Sequence, residues 1–434
     1  MRNFTATPTT TLPSTSIQRR RVVVGSSSSS STPQPSSSSN NIVEWISSVT
    51  SDRCTERVNI EKNALGVRGL KAQKSLSPGE VIFEIPMRYC FQDDYENESS
   101  LSWSARMGMK LLEERAKGGK SERYQKWIES LPKEAPFLPG IQLDSREEIE
   151  ALIRYPPCVM NALKDQERHA ESKRALKERL ERIGCTGADL DWAAGLMESR
   201  CFKHGGVRVT APGIDLCNHA GEKANCIVRF VSEVPKGCDS DSGVKKETKM
   251  KLQVSPDRFK PIEKGEEITI SYGYQSNDIY FSYFGFVPFD NDNDTAVLFD
   301  SAEDLSEFLK LAGEEIESVT CQNETADELA ARILSSSSSS SSSSQSFSIA
   351  ANGKIETNLS KAFDACALNQ SQRAVVIQKR CHQILTNGPF VGTTVKEDLR
   401  VADSEDVEEK YRVCARYRVA KKEIYAYPLK RGTS

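Results

Sequence analysis

The chain reads as an α+β protein in which two strand-rich segments flank a long helical stretch, with a mostly α-helical region at the end. Three features carry this reading. Residues 58–89 (VNIEKNALGVRGLKAQKSLSPGEVIFEIPMRY) alternate short β-type runs with turn signals. Residues 103–192 repeat apolar positions three and four apart, and β-type patterning returns over 227–272. Strands arriving from both sides of a helical insertion must pair across it, which favours one active site assembled from distant segments.

Taken in order, residues 1–43 hold four arginines (Arg2, Arg19, Arg20, Arg21), no acidic residue and many Ser and Thr, including six serines at 26–31. That is a transit-peptide composition, and it predicts a disordered leader addressed to the chloroplast stroma; an ordinary Ser-rich tail on a cytoplasmic protein is the alternative. Only Val22 to Val24 are contiguous apolar residues, short of the roughly 7–15 that a secretory signal needs. Residues 58–89 predict a three-strand meander, with Gly66 and Gly69 bracketing a tight bend, Pro78-Gly79 making a turn, and VIFEIP as a β-branched and aromatic strand.

The insertion, at about 95–192, is expected to be helical from WSARMGMKLLEERA, RYQKWIESL and ALKERLERIG, and its charged run at 164–182 reads as a solvated helix face carrying Glu/Lys pairs. Strands follow at 227–230 and 251–254 with a polar loop between them, and then EEITISYG, a strand ending in Tyr272. Past Phe289 the chain turns acidic and helix-like. It is broken by ten serines (335–344), read as a linker, and closes on the helix EEKYRVCARYRVAKKEIY. The expected units are a leader at 1–43, a catalytic unit at 44–275 and a helical region at 276–434.

Composition excludes several classes. Among 434 residues, 58 Lys and Arg face 61 Asp and Glu, and the leader's arginines mask a more acidic body, so no direct nucleic-acid partner is expected. Mean hydropathy is -0.50 and no apolar run approaches the roughly 18 residues of a membrane span, so no membrane partner is expected either, and the chain is read as a monomer. Twelve cysteines are scattered singly without C-x-x-C, which predicts no metal site and reduced, mostly buried thiols.

The chemistry concentrates in GIDLCNHAGEKANC and KGEEITISYGYQSN. Asp215, Asn218, His219 and Asn225 crowd polar groups into an apolar stretch, as a small number of side chains must to hold an adenosine-like ligand. Taken singly, Asn218-His219 is also consistent with a turn and a satisfied histidine. Tyr272 precedes Gly273, where backbone can approach a ligand closely, although taken singly it reads more readily as a strand-end aromatic packed in the core.

In order along the chain, GVRGLKAQKSLSPGEVIFEIP, DWAAGLMESRCF, PGIDLCNHAGEKANC and GEEITISYGYQSN resemble the motifs of SET-domain protein-lysine methyltransferases of the Rubisco large-subunit methyltransferase type, a group that includes an actin-histidine methyltransferase. YQKWIESLPKEAP resembles an element of that group's helical insertion, and KYRVCARYRVAKKEIY the last helix of its substrate-docking domain. The resemblance covers roughly residues 59–289. It implies the SET fold: small sheets around a pseudoknot, with a helical insertion, then a helical C-terminal region.

It also implies S-adenosyl-L-methionine as cofactor. Val67, Arg68 and Gly69 would contact it mainly through backbone, with Asn218 and His219 on its adenine and amino-acid portions. Tyr272 would be catalytic, Arg200 and Asp215 would line the substrate side, and Ile270 would stand where an aromatic residue tunes methylation number. Three positions depart from the pattern: Gly66-Val67-Arg68-Gly69 replaces Gly-x-Gly, Ala220 replaces a serine, and Phe284 stands for a tyrosine, removing a hydroxyl from the substrate channel.

The expected activity is therefore lysine methylation of a non-histone plastid protein. A catalytically inactive SET-fold scaffold and a protein-histidine methyltransferase are the alternatives; an imidazole is already largely neutral near pH 7 and needs less desolvation than lysine.

Overall fold

In a computed structural model of the chain, the described residues are 41–50, 53–63, 66–93, 100–118, 123–233, 247–312, 324–335 and 346–431. The first element, α1 (Asn41–Thr50), buries Ile42, Val43 and Ile46. The leader was expected to run through Val43, but Ile42 and Val43 belong to the same core as Phe83 and Ile214. Composition hides this because the helix's apolar stripe opens immediately after a serine run. Residues 1–40, the rest of that leader, lie outside the described residues. Removing residues 1–43 is expected to lower the melting temperature relative to removing 1–40, since burial of each aliphatic side chain contributes about 1.5–3 kcal/mol. Thermal melts of the two truncations check this.

Strands β1 (Val58–Lys62) and β2 (Arg68–Ala72) pair antiparallel, Val58 opposite Ala72 and Lys62 opposite Arg68. The next strand, β3 (Val81–Pro86), enters a different sheet, so the expected meander is a hairpin plus a separate strand. Turn residues report where a chain reverses; they carry no information on which strand it then pairs with. Two-residue β4 (Phe91–Gln92) leads into the insertion.

The insertion comprises α2 (Trp103–Ala116), α3 (Gln125–Ser130), α4 (Pro139–Gln142), α5 (Arg146–Ile153), α6 (Pro156–Arg182) and α7 (Gly187–Arg200). The charged run lies on α6, which buries a stripe through Cys158, Ala162, His169, Leu176 and Leu180. Thr186 and Asp189 cap α7 reciprocally. On α2, Gly108 lets the backbone of α7 close in: a Cβ there would lie 2.9 Å from the Ala194 nitrogen.

A hairpin that the sequence reading passed over follows, β5 (Phe202–His204) and β6 (Val207–Thr210), turning through Gly205-Gly206 and extended by β4. Then come β7 (Asn218–His219), β8 (Cys226–Glu233), β9 (Glu247–Val254) and β10 (Glu267–Ile270). Two sheets result, β1-β2-β10-β7 and β3-β9-β8. Strand β10 runs antiparallel to β2 and parallel to β7, and so joins three distant segments. It ends at Ile270, two residues short of the expected end at Tyr272.

Beyond it, α8 (Asn277–Ile279) continues into a single π-helical turn (Tyr280–Phe284). The C-terminal region holds β11 (Thr295–Phe299), α9 (Ala302–Ala312), α10 (Ala326–Ser335), β12 (Phe347–Ala350), α11 (Thr357–Ala365), α12 (Gln370–Asn387), α13 (Val395–Ala402) and α14 (Glu409–Arg431). It is not purely helical, because β11 and β12 pair antiparallel across the serine tract. Ser335 ends α10, and the remaining serines fall outside the described residues.

Two hydrophobic cores organise the molecule. One lies under the sheets, α1, α2 and α7. The second gathers the C-terminal elements, and also takes in Ile149 and Ile153 of α5 and Tyr155, Cys158 and Val159 at the start of α6. The helical insertion therefore packs against both cores. Ten described cysteines are free thiols, eight of them buried. No described helix is long and apolar enough to cross a membrane.

Candidate active site

The site forms where β10 lies between the β1–β2 hairpin and β7. Thr269 pairs with Asn218 and Ile270 with His219, and Ala220 N–H donates to the Ile270 carbonyl at 3.1 Å. Asn225 holds this arrangement from the side: its Oδ1 accepts from Thr269 N at 2.8 Å and its Nδ2 donates to Glu267 O at 2.8 Å, replacing a strand neighbour.

The Asn218 amide donates to Glu267 Oε1 at 2.6 Å and to the Arg68 carbonyl at 3.3 Å. Gly69 is required beside them, because a Cβ there would come within 2.7 Å of Asn218 Nδ2 and 2.8 Å of Glu267 Oε1. Glu267 also accepts from Asn63 in the β1–β2 turn. Val67 is half exposed in that turn, its N–H donating to Asn63 Oδ1.

His219 Nδ1 accepts from the Tyr272 backbone N–H at 3.0 Å, which requires a neutral ring protonated at Nε2, and burial lowers the pKa of this imidazole in agreement. Its ring sits among aromatics, with centroids 4.7 Å from Tyr280, 5.2 Å from Tyr272 and 5.8 Å from Phe286. Tyr280 is pinned by a hydrogen bond from its hydroxyl to the Gly273 carbonyl at 2.6 Å.

Tyr272 donates its hydroxyl to the Cys217 carbonyl at 2.8 Å, and its ring lies 4.9 Å from that of Phe284. Burial holds its pKa well above the ordinary tyrosine range, against a lowering influence from Arg200. Tyr272 and Phe284 both line a cleft of about 490 Å³, together with Leu138, Ile141, Ile279 and Tyr283.

Of the four residues expected on the substrate side, three do not line this cleft. Asp215 is buried, and its carboxylate is consumed within the fold: Oδ1 accepts from Gly213 N at 2.9 Å, and Oδ2 from Trp127 Nε1 at 3.2 Å and Arg200 Nη1 at 3.3 Å. Arg200 also donates to the Asp215 carbonyl at 2.9 Å. Neither lines the cleft, although both act electrostatically on Tyr272. Ile270 points into the core at 2% exposure, because strand alternation turns it away from the cleft. Phe284 alone of the four lines it.

Sequence reasoning missed Glu267, whose signal was the Glu266-Glu267 pair opening β10, and missed the Arg68 side chain. Arg68 lies within electrostatic reach of Arg200 and Asp215, the pair that also bears on Tyr272. Its Nη2 and the Arg200 Nε are buried without hydrogen-bond partners.

Residues 67–273 match the SET domain. The fold is that of a SET domain with a mostly helical C-terminal region. Among solved structures, the SET domain of LSMT bound to lysine and AdoHcy is similar at a TM-score of 0.60 and 17% identity, covering 91% of this chain and 90% of that one. Rubisco LSMT bound to sinefungin and monomethyllysine matches at 0.58 and 17%, covering 90% of each chain. Rubisco LSMT bound to AdoMet also matches at 0.58 and 17%. No curated protein matches the sequence. The SET match ends at Gly273, so it takes in Asn218, His219 and Tyr272 but not Phe284.

Proposed function

We propose that this protein is an S-adenosyl-L-methionine-dependent methyltransferase acting on a lysine side chain of a non-histone protein in the plastid stroma. The observation that carries the reading is the position of Tyr272: a partly buried phenol fixed on the Cys217 carbonyl, between the Asn218-His219 pair on one side and the cleft wall at Phe284 on the other. The three solved structures above, with lysine, monomethyllysine or AdoMet bound, support the substrate and cofactor classes. The Arg- and Ser-rich leader supports the plastid address.

The residues fit the cofactor. S-adenosyl-L-methionine supplies a methyl group on a sulfonium, together with a carboxylate, an amine and an adenine. The unpartnered guanidinium N–H groups of Arg68 and Arg200 are donors suited to a carboxylate. Gly69 keeps a narrow cradle open beside Asn218, and neutral His219 presents a flat ring among aromatics.

Tyr272 is too weakly acidic to be a general base near neutrality. With its proton committed to Cys217, its oxygen lone pairs are left to orient an amine N–H and to stabilise charge electrostatically. Free lysine has a pKa near roughly 10.4 and must react as the neutral amine. Apolar cleft walls at Leu138, Ile279 and Phe284 favour that form by desolvation.

Isothermal titration of the protein lacking residues 1–40 with S-adenosyl-L-methionine tests the reading. Micromolar binding supports it; a folded protein that does not bind overturns it in favour of a SET-fold scaffold. His219→Ala is expected to weaken that binding by about tenfold, through the lost acceptor for Tyr272 N–H and the lost ring contacts.

A further inference from the structure

The cleft beside Tyr272 contains a carboxyl group that the reading above does not use. Glu198, on the last turn of α7, lines it with Asp165, Arg168 and His169 of α6, Arg208 of β6 and Tyr283. The charged groups around it have partners. Arg168 lies 3.9 Å from Asp165, Asp165 also takes a hydrogen bond from Tyr283, the Arg208 guanidinium sits 4.4 Å over the Trp103 ring, and His169 Nε2 bonds Asp191 at 2.7 Å while its Nδ1 is buried without a partner. Glu198 is hydrogen-bonded by Ser104, yet its Oε2 is buried with no hydrogen-bond partner. A buried acceptor left without a donor is costly, and Glu198 lines the cleft through which a ligand would bring one.

We infer that Glu198 is a specificity-determining residue that accepts a hydrogen bond from the ammonium group of a substrate lysine entering the cleft. This rests on the methyltransferase reading. Glu198 would select a cationic side chain on arrival, and Tyr272 and the apolar walls would then act on the amine.

The inference predicts a pH signature. Burial first, and then the Asp165 charge, push the Glu198 carboxyl up to about 7, with Ser104, Arg208 and Arg168 opposing. A cation stabilises the ionised carboxylate, so lysine affinity should rise as pH increases through this value and Glu198 loses its proton. The other titratable groups facing it are Asp165, which burial raises, Tyr283 and Cys201, both pushed up to about 12, and His169.

The test uses the full chain and begins with S-adenosylhomocysteine. If that ligand does not bind the folded protein, the methyltransferase reading fails and this inference falls with it. If it binds, Nα-acetyl-lysine amide and its uncharged isostere Nα-acetyl-norleucine amide are titrated into the loaded protein from about pH 6 to about pH 8.

The expected result is a preference for the lysine probe that grows with pH. In Glu198→Gln, lysine affinity should be about tenfold weaker and flat across the range, with S-adenosylhomocysteine affinity unchanged. Three results would each overturn the inference: equal binding of the two probes by the natural protein, undiminished lysine affinity in the variant, or a pH rise that persists in it and so does not belong to Glu198. Loss of S-adenosylhomocysteine binding in the variant would assign Glu198 a structural role and overturn it as well.

Discussion

Tyr272→Phe is expected to abolish methyl transfer while leaving S-adenosyl-L-methionine affinity within about tenfold, because a single hydroxyl normally contributes at most that much to ground-state binding. The substitution keeps the ring against Phe284 and His219 and keeps the backbone N–H that His219 accepts, so the cradle around Asn218 and Gly69 should persist. What it removes is the only polar atom of the side chain, fixed at 2.8 Å from the Cys217 carbonyl. That carbonyl loses its tyrosine donor, so a loss of about 1–3 kcal/mol in stability should accompany the loss of turnover. Calorimetric titration, single-turnover assays and thermal melts of the same preparation separate the three quantities. Turnover that survives with cofactor binding lost would reverse the assignment.

Lys421→Met should destabilise the fold by about 3–5 kcal/mol, the range for leaving a buried charge without its partner. Lys421 is fully buried on α14, with its ammonium 2.8 Å from both Asp278 and Asp294 and 2.7 Å from the Thr295 carbonyl. Burial works against its charge, but the two carboxylates more than offset this and its pKa lies above the ordinary lysine value. Asp294 Oδ1 also accepts from Asn277 N at 2.9 Å, so the same cluster anchors the start of α8.

Tyr417, one turn earlier on α14, donates to Asp278 and stacks on Phe281 at 4.4 Å. The C-terminal helix thereby holds the segment that presents Tyr280 and Phe284 to the site. Chemical denaturation measures the loss, and cofactor affinity should fall with it. A variant as stable as the natural protein would show that these charges add nothing net to the fold.

Legibility differed from element to element. The helices of the insertion and α14 could be read from apolar spacing, which is a local property of about four residues. The β11–β12 pair could not, since its strands lie on either side of a serine tract and only their meeting makes them strands. Within the site, Asn218, His219 and Tyr272 stood out because two short segments concentrate them, and the structure brings all three together. Arg200 and Asp215 carried the right chemistry for a substrate wall but satisfy each other and Trp127 inside the fold. Glu267, the Arg68 guanidinium and Glu198 gave little or no signal, since an isolated Glu or Arg in a sequence is ordinary.

The amino-acid sequence by itself determined the α+β class, the helical insertion between two strand-rich segments, and the pair of motifs that end in His219 and Tyr272. These follow from periodicity, turn residues and residue type, all of which act over a few positions. Tertiary structure decided which strands pair, which side of β10 faces the cleft, and which charges remain unpartnered. Those depend on the placing of β10 between β2 and β7 and on the closing of α14 over Asp278 and Asp294, contacts made between residues far apart in the chain.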